Sequence, residues 1–272
     1  MFYGPNYLDL FRLASRPAGA LVIPLTLVAI WETLSRAGLT DIIYMPAPTS
    51  VLVALGAMLA SGELLMNGAA SLQRMALGLM LALAVALPLG LVVGRSTTLK
   101  IWIRPTLEVL RQIPPMALIP LAILWLGIDL AGKAFIVAYA CFWPIFYNAA
   151  LGAEEVPGIL LRQARVMELS AMRTTLRVTL PAALPAVFVG IRISVGLSLI
   201  TLLVAEMVGA SDGLGFMVIY AQRNFQTAKM IGVVLAICAE RGRPPRRTVR
   251  TASSHGADVT TIGSTPRGMA PR

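Results

Sequence analysis

Between Gly127 and Ala134 the chain reads GIDLAGKA, with Gly127, Gly132 and Lys133 at the spacing of a phosphate-cradling loop. That chemistry needs a hydroxyl after the lysine to hold magnesium, and a strand ahead of the first glycine. Ala134 stands where the hydroxyl should be, and a long apolar run precedes the stretch, so the chain is not expected to bind or hydrolyse a nucleotide. The only histidine, His255, lies far out in the C-terminal region, which removes most histidine-based metal and acid–base chemistry from the body of the protein. Cys141 and Cys238 both sit inside apolar runs and read as small apolar side chains rather than a disulfide. No catalytic set and no metal-ligand set emerges. What remains is a handful of polar groups in apolar surroundings: Arg111, Gln112, Asn148, Arg192 and Glu206. Such groups should face protein or water rather than lipid. Arg192 and Glu206 are roughly 21 Å apart along a helix, which sets them near opposite ends of one span.

The elements that must position these groups are membrane helices. Of 272 residues, 57% are hydrophobic and only 13% charged, with mean hydropathy +0.77. A soluble domain is nearer a quarter charged. The formal net charge of +10 fits basic cytoplasmic loops, and without interleaved aromatic residues it does not suggest nucleic acid. The apolar runs predict spans at Ala18–Ser35, Met75–Gly94, about Arg104–Ile128, Ala134–Gly152 and Leu184–Val208. A sixth begins near Met230 and stops at Ala239. Pro114, Pro115 and Pro120 should kink or break the third span. Residues 41–63 read as a turn followed by an external amphipathic helix. With the N-terminus inside, Arg12, Arg16, Arg95, Lys100, Arg104, Arg162, Arg165, Arg173 and Arg177 fall on the cytoplasmic side. Arg36, Arg74, Lys133, Arg223 and Lys229 fall outside, as the positive-inside rule expects.

The cytoplasmic stretch LRQARVMELSAMRTTLRVTLPAALP, Leu161 to Pro185, reads as two short helices. The first begins at Pro157 and puts Leu160, Ala164 and Met167 on one face. Ser170 caps the second, in which Met172, Leu176 and Leu180 align. Pro181 and Pro185 mark a bend into the fifth span. Periodicity alone leaves two readings open: a docking knob for a soluble partner, or an amphipathic loop lying on lipid.

The segment ARVMELSAMRTTLRVTLPAALPAVFVGIR resembles the cytoplasmic signature of ATP-binding-cassette importer permeases. RQIPPMALIPLAILWLGI, FWPIFYN and LLVAEMVGASDGLG narrow the resemblance to the nitrate, sulfonate and taurine branch, over roughly residues 45 to 238. The resemblance implies an all-α polytopic protein like a type I importer permease, with five full transmembrane helices plus a truncated sixth, in the bacterial inner membrane. It implies partners: an ATPase subunit that carries the ATP and magnesium, a periplasmic substrate-binding protein, a second permease copy, and membrane lipid. No cofactor is expected on this chain itself. The coupling positions are Ala164, Arg165, Val166, Met167, Glu168, Leu169, Ser170, Leu180 and Pro181. Two positions depart from the signature: its glutamate is Arg162 here, and its elbow glycine is Glu168. A translocation path would draw on Arg111, Gln112, Asn148 and Glu206, with Pro114 and Pro115 shaping a broken helix beside it.

The domain reading is residues 1–66 for the first span and external segment, 67–239 for the permease core with a coupling loop over 153–183, and 240–272 for a basic tail. From Glu240 onward there are seven arginines, no lysine and few large apolar residues. That composition reads as disordered: either a lipid-binding tail or a sequence read out of frame. An ion-coupled secondary transporter and an integral-membrane lipid-modifying enzyme are the alternatives. The first requires several paired intramembrane acids and the second a cluster of His, Asp, Glu or Cys, and the sequence offers neither.

Overall fold

The computed structural model describes residues 17–39, 41 and 43–241, and the side chains of 22–39, 41 and 43–239. Arg12, Arg16, His255 and the tail beyond Arg241 lie outside the described residues. Every regular element among those described is helical. The helices are α1 Pro17–Arg36, α2 Pro48–Ala60, α3 Glu63–Arg95 and α4 Thr97–Arg111, then a 3₁₀ turn Pro115–Leu118 and α5 Ile119–Leu126. There follow α6 Leu130–Glu154, α7 Gly158–Val166, α8 Ala171–Gly209, α9 Leu214–Arg223 and α10 Thr227–Arg241.

Three of these, α3, α6 and α8, are long and apolar enough to cross a membrane; the bent pair α4–α5, counted as one span, brings the number to four. The three long helices form the core. In lipid there is little hydrophobic drive between helices, so small residues that let backbones approach carry the packing. A Cβ on Gly78 would meet Val137 at 2.5 Å, one on Gly94 the carbonyl oxygen of Ala150 at 2.3 Å, and one on Gly190 the carbonyl oxygen of Pro144 at 2.8 Å. The first two seat α3 against α6, the third α8 against α6. Ala82, Ala86, Val137, Cys141, Ile145, Phe146 and Leu202 fill the space between. Cys141 is a free, buried thiol; the Ser194 hydroxyl donates to its carbonyl oxygen (3.0 Å), a polar stitch between α6 and α8.

The third apolar run is broken as expected: α4 and α5 meet at 79° across Gln112, Ile113 and Pro114. Pro105 is absorbed inside α4, and Pro120 sits in the first turn of α5, where its missing N–H is no loss. Three expectations change. The second span is longer than Met75–Gly94, because its helix begins at Glu63 and carries the polar residues Asn67, Ser71 and Arg74 in its first turns; the 66/67 boundary falls inside it. α2 is not amphipathic. It has no charged residue, it buries Val51 and Met58, and it exposes Leu52, Val53 and Leu59. Met58 packs with Val233 and Ile237 of α10. Finally, Pro181 and Pro185 make no break or sharp bend, and the helix continues through them. Both lie inside α8, and the strain is taken up by one π turn over Thr175–Thr179, where the Leu180 N–H reaches back to Thr175 O. Widening the helix just before Pro181 relieves the clash of its ring with the carbonyl four residues earlier.

Candidate functional site

At one end of the long helices, the end expected to be cytoplasmic, α7 and α8 make the expected pair of helices with a tight elbow. α7 begins at Gly158, one residue later than expected, with extended Pro157 ahead of it (φ −55°, ψ 130°). The elbow closes by two nested bonds, Glu168 N–H to Arg165 O (3.0 Å) and Leu169 N–H to Ala164 O (3.1 Å). This is the Schellman ending of a helix, which requires a left-handed residue at its turn. Glu168 supplies it with φ 50°. The elbow therefore keeps the geometry natural to glycine while carrying a side chain, at a cost of about 1–2 kcal/mol. Ser170 caps the second helix as expected, its hydroxyl accepting from Arg173 N–H (3.4 Å).

The expected apolar face of α7 divides. Ala164 is buried and anchors the elbow, whereas Met167 turns outward because it sits at the helix end. Val166 (84% exposed), Met167, Met172 and Leu176 form an uncovered apolar patch, and Arg165 is exposed on the same helix end. Leu169 and Leu180 are half-buried and Pro181 is exposed. The patch is tied to the helix core: Arg95, the last residue of α3, donates to the buried Thr179 hydroxyl in the π turn (2.8 Å), and Lys100 pairs with Glu154 at the end of α6 (2.6 Å).

At the opposite end Glu206 is fully buried and fully engaged. Its carboxylate accepts from the Ser71 hydroxyl (2.8 and 2.9 Å to the two oxygens), from Arg74 Nη1 (2.8 Å) and from Gly215 N–H (2.9 Å). Arg74 also pairs with Asp212 (2.5 Å) and donates to its carbonyl oxygen (3.1 Å). Ser71 Oγ accepts from Leu214 N–H (2.9 Å), and Asn67 Oδ1 from Gly213 N–H (2.7 Å). The first turn of α9, with its unsatisfied N–H groups, is thus capped by side chains from α3 and α8. Gly213, at φ 109°, fits because a Cβ there would come within 2.4 Å of Glu206 Oε1. From sequence Arg74 stands out only as a charge expected outside, and Ser71, Asn67 and Asp212 not at all. The only signal was three polar residues spaced three or four apart on the first turns of α3.

The other candidates do not gather in one place. Gln112, Pro114 and Pro115 occupy the α4–α5 bend. The Arg111 guanidinium stacks over the Tyr147 ring of α6 at 4.9 Å. The Asn148 amide is taken by Pro144 O of its own helix (2.8 Å). The phosphate-loop look-alike is a turn between helices: Gly127 ends α5 at φ 79°, Gly132 packs on its carbonyl, and Lys133 is buried in the first turns of α6. Among the described residues no three His, Cys, Asp or Glu side chains converge as metal ligands.

This arrangement has a core of helices long and apolar enough to cross a membrane, one end tied by Glu206 and Arg74, and a helical elbow presenting apolar surface at the other. Residues 86–239 match the family described as binding-protein-dependent transport system inner membrane component. Relatives include the "Putative aliphatic sulfonates transport permease protein SsuC" of Bacillus subtilis, 34% identical and covering 79% of this chain and 78% of its own. The taurine transport system permease protein TauC of Escherichia coli is 33% identical, over 85% of each chain. The nitrate import permease protein NrtB of Leptolyngbya laminosa is 32% identical, over 62% of this chain and 61% of its own. The chain belongs to the family of binding-protein-dependent transport system inner membrane components.

Proposed function

We propose that this chain is the membrane-spanning permease of an ATP-driven importer for a small sulfonate, taurine or nitrate-like anion. The protein is a transporter subunit of the inner membrane and not an enzyme; ATP and magnesium belong to a partner ATPase, and a binding protein delivers solute from outside. The substrate class follows the names of the relatives. Five spans, α1, α3, α4–α5, α6 and α8, would be joined by a shortened sixth, α10, within a core over residues 67–239. A second copy of the chain completes the path, with lipid around it.

The observation that carries this reading is the elbow at the inner end, inside the coupling loop 153–183. Its apolar residues Val166, Met167 and Met172 stand uncovered beyond a left-handed Glu168, while Ala164 and the π turn hold the elbow against the helix core. Arg165, Leu169, Ser170, Leu180 and Pro181 frame that surface. Closure of two ATPase subunits would push on it, and α8, continuous from Ala171 to Gly209, would transmit the push across the membrane. Arg111, Gln112, Asn148 and the Pro114–Pro115 bend are the path residues; Glu206 acts on the path by holding its outer end together.

Co-expression with the ATPase partner tests this. The pair should co-purify and hydrolyse ATP, and Met167→Asp should abolish co-purification without unfolding the permease. ATP turnover by the isolated chain, lost in Lys133→Ala, would refute the assignment, as would uptake driven by an ion gradient without ATP.

A further inference from the structure

The charges of α4 lie on one face: Lys100, Arg104, Glu108 and Arg111. Basic residues near a cytoplasmic membrane surface ordinarily satisfy the positive-inside rule and meet lipid headgroups. Here Ile101, Trp102 and Val109 expose an apolar side of α4, while the charged face borders α6 at two points, Lys100 with Glu154 and Arg111 over Tyr147, and leaves the Arg104 side chain 67% exposed between them. Between them lies a cleft of about 140 Å³ lined by Lys100, Arg104, Tyr147 and Glu154, with Phe146 and Val93 at its apolar wall. At about 30 Å³ per water, that is space for four or five waters or one oxyanion of similar size.

Two groups in this cleft are incompletely used. Arg104 binds Glu108 through Nε alone (2.9 Å), which leaves the outer edge of its guanidinium for another acceptor. The Tyr147 hydroxyl is buried with no hydrogen-bond partner, although leaving such a group unpaired costs about 1–3 kcal/mol. Arg111 covers the ring of the same tyrosine. Lys100, Arg104 and Arg111 bring three positive charges against two carboxylates, Glu108 and Glu154, a surplus of one.

We infer that this cleft is a subsite for a small, singly charged oxyanion at the inner mouth, where Arg104 and the Tyr147 hydroxyl bind its oxygens and Lys100 and Arg111 supply the surrounding positive field. The inference rests on the importer reading, and it adds where the anion pauses before release and which side chains hold it there. Occupancy is brief by design of the charges: Glu108 and Glu154 compete with the anion for the same cations, so the site holds it weakly enough to let go.

The experiment measures equilibrium retention of radiolabelled methanesulfonate by the permease–ATPase complex in nanodiscs, at low ionic strength and without binding protein. Arg104→Gln should weaken retention about fivefold or more, and Tyr147→Phe by a smaller factor. Glu108→Gln, which frees Arg104, should tighten it, a gain that misfolding cannot imitate. Arg223→Gln, an exposed charge at the end of α9, should change nothing. No retention by the parent complex, equal retention by the Arg104 and Tyr147 variants, or an equal loss in Arg223→Gln would overturn the inference. Retention is read without transport, so the two readings fail separately. ATP-driven uptake by the parent complex with its binding protein leaves the importer standing whatever the cleft does, and absence of that uptake counts against the importer itself.

Discussion

Replacing Arg74 by methionine should destabilise the protein more than any other single change at the outer end. Glu206 is fully buried and the Arg74 side chain is 9% exposed, so neither has water to fall back on. Without Arg74, the carboxylate keeps the Ser71 hydroxyl and Gly215 N–H but no countercharge, and breaking a buried pair in this way costs about 3–5 kcal/mol. Asp212 adds little because it is half exposed, so Asp212→Asn should cost no more than about 1 kcal/mol. Glu206→Gln keeps the shape, but one of its two acceptors becomes a donor facing a donor, for about 1–3 kcal/mol. In the double variant Arg74→Met/Glu206→Met no charge is left unpaired. Its loss should fall below the sum of the singles by about 2–3 kcal/mol. Thermal unfolding in detergent reads these differences; at about 2–4 °C per kcal/mol for a chain of this size, Arg74→Met should lower Tm by roughly 6–20 °C. A drop below about 2 °C, or strict additivity in the double variant, would show that the pair is not the fastening of α3 to α8 and α9 described here.

Three further outcomes are expected. Glu168→Gly should remove the left-handed strain but add about 0.5–1 kcal/mol of backbone entropy to the unfolded state, so stability should stay nearly constant and co-purification with the ATPase should be kept; weaker co-purification would mean that the Glu168 side chain itself contacts the partner. Gly94→Leu should cost about 3 kcal/mol or prevent folding, because its Cβ would stand 2.3 Å from the Ala150 carbonyl oxygen, backbone that cannot rotate away; wild-type Tm would show that α3 and α6 are not in such close contact. α10 has 15 residues, about 22 Å against a hydrocarbon layer near 30 Å, and the family match stops at Ala239, just before the composition changes. Replacing residues 240–272 by about ten apolar residues and a basic stop should raise both membrane yield and uptake; full uptake by the chain as it stands would rule out a damaged sixth span.

The long spans were legible because twenty-odd apolar residues have few other fates, and the break at Pro114–Pro115 was legible because proline acts within one turn. The ends of helices were less so. A span counted from where charge ceases begins at Met75; α3 starts earlier, at Glu63, because the polar side chains Asn67, Ser71 and Arg74 are consumed by partners in α8, α9 and the turn between them. The bend expected at Pro181 and Pro185 failed for a local reason. A proline has no N–H to give and needs room for its ring, and the π turn just ahead of Pro181 makes that room within a helix that runs on to Gly209.

The site divides along the same line between local and distant causes. The elbow could be read from sequence because its determinants are adjacent: a helix end, a residue forced to positive φ, and a serine cap, all within Ala164–Arg173. Even the anomaly of Glu168 was visible, although only the backbone shows that the left-handed turn is kept. The outer fastening could not be read in this way. Arg74 and Glu206 are 132 positions apart, and each alone looks like a charge reaching an interface. Only their meeting explains why both can be buried. The same holds for Tyr147, which in sequence is one aromatic among several and becomes a candidate ligand only once α4 brings Arg104 and Arg111 beside it. Polar residues in membrane helices therefore have to be judged by their partners. Glu206, whose acceptors are all filled by protein, is fixed in place, whereas Tyr147, like Trp31 and Trp143 among the described residues, keeps a buried donor without a partner, and of these three it is the one that lines a cleft with Lys100 and Arg104.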